Sequence, residues 1–139
     1  GEGHLSAAVM AAGLTKEALG IDRDPKISER AEARGWGERA QFTAGNLPNE
    51  LPEGPFDLVI LSEVLYILDE VDLGALARNL AAITMPGATL LVVSWLGPTD
   101  TPLDGRTASD FFCASLGEAV ESLKSVEAPQ YRMELLRLR

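Results

Sequence analysis

Residues 56–61 read FDLVIL and residues 88–96 read ATLLVVSWL, and these two apolar stretches decide the fold. Nearly continuous apolar runs of this length are typical of strands that flanking helices bury on both faces. Between them, residues 72–83 carry leucine and isoleucine at helical spacing, which predicts a helix with one apolar stripe. The turn pair Pro86-Gly87 separates that helix from the second strand. Strand, helix and strand in this order indicate a parallel sheet.

The alternation of helices and strands continues towards both ends of the sequence. Asp24 and Pro25 predict the start of a helix, because an acidic N-cap followed by proline in the first turn is a common N-terminal pattern. Residues 97–107 are rich in turn formers and predict a long loop. Helices are predicted over 5–12, 24–34 and 108–123, and strands over 18–22, 40–44, 125–131 and 133–138. The predicted class is α/β, with a Rossmann-like, doubly wound mixed sheet that ends in an antiparallel hairpin.

The composition describes an acidic globular chain. Its 139 residues fit one domain, and 12 basic against 21 acidic residues give a net charge of −9, which argues against binding to nucleic-acid phosphates. A single cysteine, Cys113, and a single histidine, His4, are too few for a metal cluster built on those residue types, and we expect Cys113 to be a small buried hydrophobe. No apolar run approaches the ~18 residues of a membrane span. We therefore expect a cytoplasmic protein without a membrane partner.

Glycines and an acid mark the first candidate binding region. Gly1-Glu2-Gly3 precedes a predicted helix, and glycines at such a turn permit positive φ and the close approach of a ligand to the main chain. Asp22 ends the next strand, about twenty residues on, where an acid can accept hydrogen bonds from ribose hydroxyls. From these two features alone, a glycine-rich terminus with a solvated acid is an equally good interpretation.

Two further candidate groups follow the later strands. A Gly-Asn-Leu run at residues 45–47 lies where ligands bind in open α/β sheets and could read the edge of an adenine, although a common turn pair is the better interpretation of that run alone. Ser62, Glu63 and Tyr66 follow the FDLVIL strand, where a carboxylate beside an apolar pocket could hold a cationic amine. Capping of the following turn explains Glu63 equally well.

The order of these features is more specific than any one of them. A glycine turn, an acid after the second strand, Gly-Asn after the third, the FDLVIL strand, a Pro-Gly turn and the strand LLVVSW resemble the class I S-adenosylmethionine-dependent methyltransferases. More narrowly, the stretch FDLVILSEVLYIL, the Met85-Pro86-Gly87 turn and the C-terminal third resemble the NodS-like family, named for nodulation protein S. The resemblance spans nearly the whole chain.

The resemblance implies a reaction and a set of site residues. It implies transfer of a methyl group from S-adenosylmethionine to a small-molecule acceptor; in the family's namesake this is the amine of a deacetylated chitooligosaccharide, an amino sugar. Asn46 occupies the adenine position, where an aspartate is more usual, and Glu63, helped by Tyr66, would orient the amine and take up its proton. The implied cofactor residues are Gly1, Gly3, Asp22, Arg23, Asn46, Leu47 and Ser62, and the implied catalytic residues are Glu63 and Tyr66.

Two departures from the family pattern leave other hypotheses open. Family members begin the fold with an additional central strand that leads into the glycine motif; this sequence starts inside the motif, so we expect a fragment of a longer chain. Relatives also carry a histidine in the long loop, where residues 104–110 read DGRTASD. The alternatives are a non-catalytic, degenerate methyltransferase-like binding module and a nicotinamide-dependent oxidoreductase on a Rossmann fold.

Overall fold

The structure is a computed structural model that describes residues 17–35 and 40–139. The predicted helix over 5–12, the glycine turn with Gly1 and Gly3, and His4 lie outside the described residues. The chain divides into two compact units, residues 1–50 and 51–139. None of the helices in the described ranges combines the length and the apolar character that crossing a membrane requires.

The first unit contains a parallel strand pair with one helix. Its elements are β1 (Ala18–Asp22), α1 (Pro25–Ala33) and β2 (Ala40–Ala44), which confirms the three predictions in this region. The pairing runs in register from Ala18 opposite Ala40 to Asp22 opposite Ala44. The Asp24 side chain caps α1 by accepting a hydrogen bond of 2.9 Å from the Lys26 backbone N–H. The strand ends therefore bring Asp22 and Ala44 to the same edge of the pair.

The second unit contains a mixed four-stranded sheet and two helices. Its elements are β3 (Phe56–Ser62), α2 (Glu70–Ile83), β4 (Thr84–Trp95), α3 (Gly105–Leu116), β5 (Val120–Glu127) and β6 (Tyr131–Leu138), with short 3-10 turns at Leu65–Ile67 and Gly117–Ala119. The strand order is β3-β4-β6-β5. The β3–β4 pair is parallel, whereas β6 runs antiparallel to both β4 and β5. This is the mixed sheet with a closing hairpin that the sequence predicts.

The core of the second unit lies between the helices and one face of β4. Side chains alternate along β4, so that Ala88, Leu90, Val92 and Ser94 are buried while the residues between them are only half-buried. The helices α2 and α3 pack against each other and against β4. Their fully buried side chains include Phe112 of α3 and the leucines at the helical spacing of α2, Leu73 and Leu76. The apolar stripe predicted for residues 72–83 is therefore the buried face of α2.

The predicted bounds of four elements in the second unit are wrong. The helix predicted over 108–123 spans Gly105–Leu116, because Gly117 adopts a left-handed φ of 53° and ends it. The hairpin strands accordingly begin earlier, at Val120 and Tyr131. The strand predicted over 88–96 begins at Thr84, and the Pro-Gly turn is an irregularity within it, where the register jumps from Phe56 opposite Thr84 to Leu58 opposite Thr89.

The predicted burial of the FDLVIL strand is also wrong in part. Within β3 only Leu61 is buried, and the other apolar side chains are half-buried. Among the described residues β3 pairs with β4 on one side only, which makes it the edge strand of its sheet. An edge strand has fewer neighbours to cover its side chains, and this accounts for their partial exposure.

An ion-pair network joins α3 to the hairpin. Arg132 on β6 is largely buried, and its guanidinium donates to Asp110 on α3 and, at 2.7 Å, to the buried Glu134. Ser125 on β5 donates to the same Glu134 oxygen at 2.7 Å. Cys113 lies nearby and is half-buried; burial and the negative charge of Glu134 raise the pKa of its thiol to about 11, so it is protonated at neutral pH.

Candidate functional site

Glu63 occupies an unusual backbone position at the carboxyl end of β3. Ser62 is the last residue of the strand and is half-buried, and Glu63 follows it with a left-handed φ of 61°. Residues other than glycine rarely adopt this backbone conformation, because the Cβ atom then approaches the carbonyl oxygen. The Glu63 backbone N–H donates to Val93 O at 2.9 Å, which continues the pairing between β3 and β4 for one residue. The neighbouring strand therefore stabilises the unfavourable turn.

The Glu63 carboxylate is anchored through one of its oxygens. Oε2 accepts a hydrogen bond of 2.7 Å from the Tyr66 hydroxyl and one of 3.1 Å from the Trp95 backbone N–H. In the part of the chain that the structure describes, Oε1 has no hydrogen-bond partner. The side chain itself is exposed. The geometry thus presents a free carboxylate oxygen at the carboxyl edge of the sheet.

The surroundings of Tyr66 raise the pKa of its phenol. Its partial burial disfavours the phenolate, and its hydrogen bond to Glu63 and the negative charge of that residue add to the effect, so that the pKa of Tyr66 rises to about 12. The phenol is consequently protonated throughout the neutral range and acts as a hydrogen-bond donor. The structure places Tyr66, which the sequence analysis grouped with Glu63, within hydrogen-bond distance of it, because the two residues lie three positions apart along one short turn.

Trp95 and Gly105 are site residues that the sequence analysis missed. Trp95 contributes through its backbone N–H, whose position depends on the pairing of β3 with β4 rather than on the type of side chain. Gly105 begins α3 directly against this residue, since a Cβ atom added there would lie 1.8 Å from Trp95 O. Asp104 caps the same helix by accepting a hydrogen bond of 2.8 Å from the Thr107 backbone N–H. A glycine after a capping acid is the signal that could have located this close approach.

Asp22 and the loop after β2 lie at one edge of the strand pair in the first unit. The Gly45 backbone N–H donates to Asp22 O at 3.0 Å, and Asp22 Oδ1 accepts from the Asp24 N–H at 2.9 Å. Partial burial alone would raise the pKa of Asp22, but the hydrogen bond from Asp24 and the positive charge of Arg23 hold it below its ordinary value. The carboxylate is therefore ionised at neutral pH and can accept further hydrogen bonds. Arg23 itself is exposed in the bend after β1.

Asn46 is held by a residue that the sequence analysis did not select. Glu50 Oε1 accepts hydrogen bonds from the Asn46 backbone N–H at 3.2 Å and from its side-chain Nδ2 at 3.0 Å. Leu47 is half-buried beside it. Of the predicted site residues, the structure thus brings together Asp22 with the Gly45-Asn46 turn in the first unit, and Ser62, Glu63 and Tyr66 in the second. Gly1 and Gly3 lie outside the described residues.

Comparison with known proteins identifies the family. The family model described as a methyltransferase domain matches residues 1–87. The chain belongs to this methyltransferase domain family. Ribosomal protein L11 methyltransferase of Thermus thermophilus is 42% identical over 98 residues, which cover 69% of this methyltransferase domain and 37% of that protein. Mitomycin biosynthesis 6-O-methyltransferase of Streptomyces lavendulae is 29% identical over 112 residues, covering 78% and 30% respectively, so the chain spans about a third of these relatives.

Solved structures agree on the fold. The N-methyltransferase NodS of Bradyrhizobium japonicum, in complex with S-adenosyl-L-homocysteine, superposes with a TM-score of 0.78 at 20% identity. The match covers 99% of this methyltransferase domain and 73% of that protein. At this level of identity the likeness establishes a shared Rossmann-like methyltransferase fold, which confirms the fold class predicted from the sequence.

Proposed function

We propose that this domain transfers a methyl group from S-adenosylmethionine to a small-molecule acceptor, and that the acceptor is an amine. One observation carries the proposal: a carboxylate stands at the carboxyl end of β3 in a strained backbone conformation, with two donors on one oxygen and, among residues 17–35 and 40–139, none on the other. Backbone strain of this kind clusters at functional sites, where the surrounding structure maintains it. Membership of the methyltransferase family supports the reaction class.

The acceptor groups of the first unit fit the nucleoside part of S-adenosylmethionine. The ribose hydroxyls and the adenine amino group are hydrogen-bond donors, and both Asp22 and Asn46 can accept. The lowered pKa of Asp22 keeps its carboxylate ionised, which makes it the stronger acceptor of the two. In this proposal Asp22 holds the ribose and Asn46 with Leu47 holds the adenine. The family resemblance assigns further contacts with the cofactor to Arg23 and Ser62, and contacts with its methionine part to Gly1 and Gly3.

The residues of the second unit would manage the acceptor's proton. Bound S-adenosylmethionine supplies a methyl carbon activated by a positively charged sulfur, which keeps the C–S bonding electrons when the acceptor nitrogen bonds to that carbon. An amine must be neutral to attack, so its extra proton has to leave. Glu63 Oε1, which has no partner among the described residues, is the oxygen that accepts this proton, directly or through a water molecule.

The two donors on Oε2 would orient this carboxylate. Tyr66 and the Trp95 N–H fix the plane of the carboxyl group, so that Oε1 keeps a constant direction. With Oε2 held by these two donors, the side chain presents Oε1 to a cationic amine before the reaction. The fold shared with nodulation protein S, an N-methyltransferase, supports an amine acceptor, and amino sugars are the first class to test.

The experiment combines binding and turnover. Calorimetric titration of S-adenosylhomocysteine into the protein is expected to show micromolar affinity, and Asp22→Ala should weaken it by about tenfold or more, the typical effect of losing hydrogen bonds to a charged group. Glu63→Gln keeps an oxygen that can accept both hydrogen bonds but removes the base, so turnover with an amine acceptor should fall by about a hundredfold with unchanged affinity. Glu121→Gln, on the exposed strand β5, is the matched control.

Each part of the proposal can fail separately. If a folded protein bound a nicotinamide cofactor and not S-adenosylhomocysteine, the cofactor assignment would be wrong. Normal turnover in Glu63→Gln would remove Glu63 from the mechanism while leaving the reaction intact. If the protein binds S-adenosylhomocysteine yet methylates hydroxyl compounds and no amine, the acceptor class is overturned.

A further inference from the structure

The side chain of Asn46 is fixed in one of its two possible orientations. An asparagine amide presents an acceptor oxygen on one side and a donor nitrogen on the other, and rotation by half a turn exchanges them. Here Glu50 Oε1 accepts from Nδ2 at 3.0 Å and from the Asn46 backbone N–H at 3.2 Å. An ionised carboxylate can only accept, so the nitrogen must face Glu50. The oxygen Oδ1 is left without a hydrogen-bond partner among the described residues.

The backbone supports the same arrangement. The Glu50 N–H donates to Asn46 O at 2.9 Å, so three hydrogen bonds join the two residues across a short loop. Gly45 packs closely beneath this loop, since a Cβ atom added there would lie 3.0 Å from Glu50 O and 3.1 Å from a methyl group of Ile21. The loop conformation is therefore defined by contacts other than the Glu50 side chain. Removal of that side chain should free the amide without unfolding the loop.

We infer that Glu50 is a positioning residue that makes position 46 an acceptor, and that it thereby selects a 6-aminopurine over a 6-oxopurine in the cofactor. The inference rests on the proposed function, in which Asn46 faces the adenine. The amino group at C6 of adenine is a donor and pairs with Oδ1. A 6-oxopurine offers an acceptor at C6, which would place two oxygens against each other unless the amide rotated. Glu50 prevents that rotation because its carboxylate would then face Oδ1.

The test compares two ligands that differ at C6 alone. S-adenosylhomocysteine and its deaminated analogue, S-inosylhomocysteine, are titrated calorimetrically into the wild-type protein, Glu50→Ala, Glu50→Gln and the matched control Glu53→Ala in the same loop. The wild type and Glu53→Ala are expected to prefer the adenine ligand by about tenfold. In Glu50→Ala the preference should fall by about threefold to tenfold, because the amide can rotate to meet either base. In Glu50→Gln it should persist, because the Asn46 backbone N–H can only donate and so keeps the glutamine carbonyl oxygen on this side, where it also accepts from Nδ2.

The outcomes separate this inference from the proposed function. An unchanged preference in Glu50→Ala, with normal binding of S-adenosylhomocysteine, overturns the positioning role and leaves the cofactor assignment in place. A wild-type protein that binds neither ligand overturns both. Asn46→Asp combined with Glu50→Ala is a second test, because an aspartate accepts in either orientation and should restore the preference without Glu50. If Glu50→Ala does not fold, Glu50→Met replaces it in both tests, since methionine keeps most of the length of the side chain but offers no oxygen to Asn46 Nδ2. Loss of preference in that double variant contradicts the inference.

Discussion

Replacement of Gly105 by alanine is expected to disturb both the stability of the second unit and the candidate site. A Cβ atom at this position would lie 1.8 Å from Trp95 O and 2.9 Å from Trp95 C. Ordinary contacts between such atoms begin near 3.5 Å, so the start of α3 and the end of β4 would have to separate by roughly 1.7 Å. Both opposing atoms belong to the backbone and cannot rotate away.

The expected cost follows from the packing on both sides of this contact. Overpacking of a well-packed core typically costs about 1–3 kcal/mol, and we place Gly105→Ala at about 3 kcal/mol because no flexible side chain can yield. The adjoining Ser94 is fully buried and its Cβ atom lies 3.4 Å from the added methyl group, which leaves little room for local relaxation. Movement at Trp95 would also lengthen the hydrogen bond of 3.1 Å that its N–H donates to Glu63.

Urea unfolding monitored by circular dichroism measures the change in the free energy of unfolding. Gly74→Ala is the matched control: this glycine lies within α2, and the nearest atom to an added Cβ is the end of the flexible Arg78 side chain at 3.6 Å. Alanine there should stabilise the protein by about 0.5–1 kcal/mol, the ordinary gain within a helix. The reasoning is refuted if Gly105→Ala is as stable as the wild type, or if both substitutions change stability in the same direction.

Two further predictions concern single hydrogen bonds. In Tyr131→Phe, where Tyr66 is the remaining tyrosine, spectrophotometric titration should find its pKa near 12. The stabilisation associated with this raised pKa is present below the ordinary tyrosine value of about 10 and is lost as the pH rises through 12. Glu63→Gln should lower the pKa of Tyr66 towards that ordinary value. An unchanged pKa in this variant would contradict the pairing of the two side chains. Asp69→Ala should lower the free energy of unfolding by about 1 kcal/mol, because the Asp69 side chain caps α2 by accepting a hydrogen bond of 2.8 Å from the Asp72 N–H. An unchanged midpoint of chemical denaturation in this variant would contradict the prediction.

Local signals in the sequence predict most of the fold. The strand before Asp22 and the helix after it are found with correct bounds, because a capping acid and a proline act within one turn of the chain. The end of α3 is missed because Gly117 stops a helix whose apolar pattern continues to Leu123. The exposure of β3 does not follow from the residues of the strand itself. An apolar strand carries no local signal of how many neighbours it has, and burial depends on that number.

In the candidate site, too, some contacts follow from nearby residues in the sequence and others depend on the tertiary fold. Glu63 and Tyr66 lie three residues apart, and their pairing can be predicted from the sequence as soon as the end of the strand is known. The Trp95 N–H is 32 residues from Glu63, and any side chain at position 95 would supply it, so only the strand register reveals it. Glu50 lies four residues after Asn46 in a loop without regular secondary structure. An acid at that spacing from an amide is a usable signal, but its meaning depends on a fold of the loop that no periodic pattern encodes.

The left-handed backbone at Glu63 sets stability against activity at a single position. Glycine would adopt a φ of 61° without the steric cost of roughly 1–2 kcal/mol that a side chain incurs there. Glycine would also remove the two hydrogen bonds on Oε2, so laboratory evolution for heat resistance alone would enrich glycine at position 63 if the strain exceeds what those bonds contribute. A selection that also demands turnover would retain glutamate. The residue frequencies recovered from two such libraries would record directly how much of this protein's stability is given up at its candidate active site.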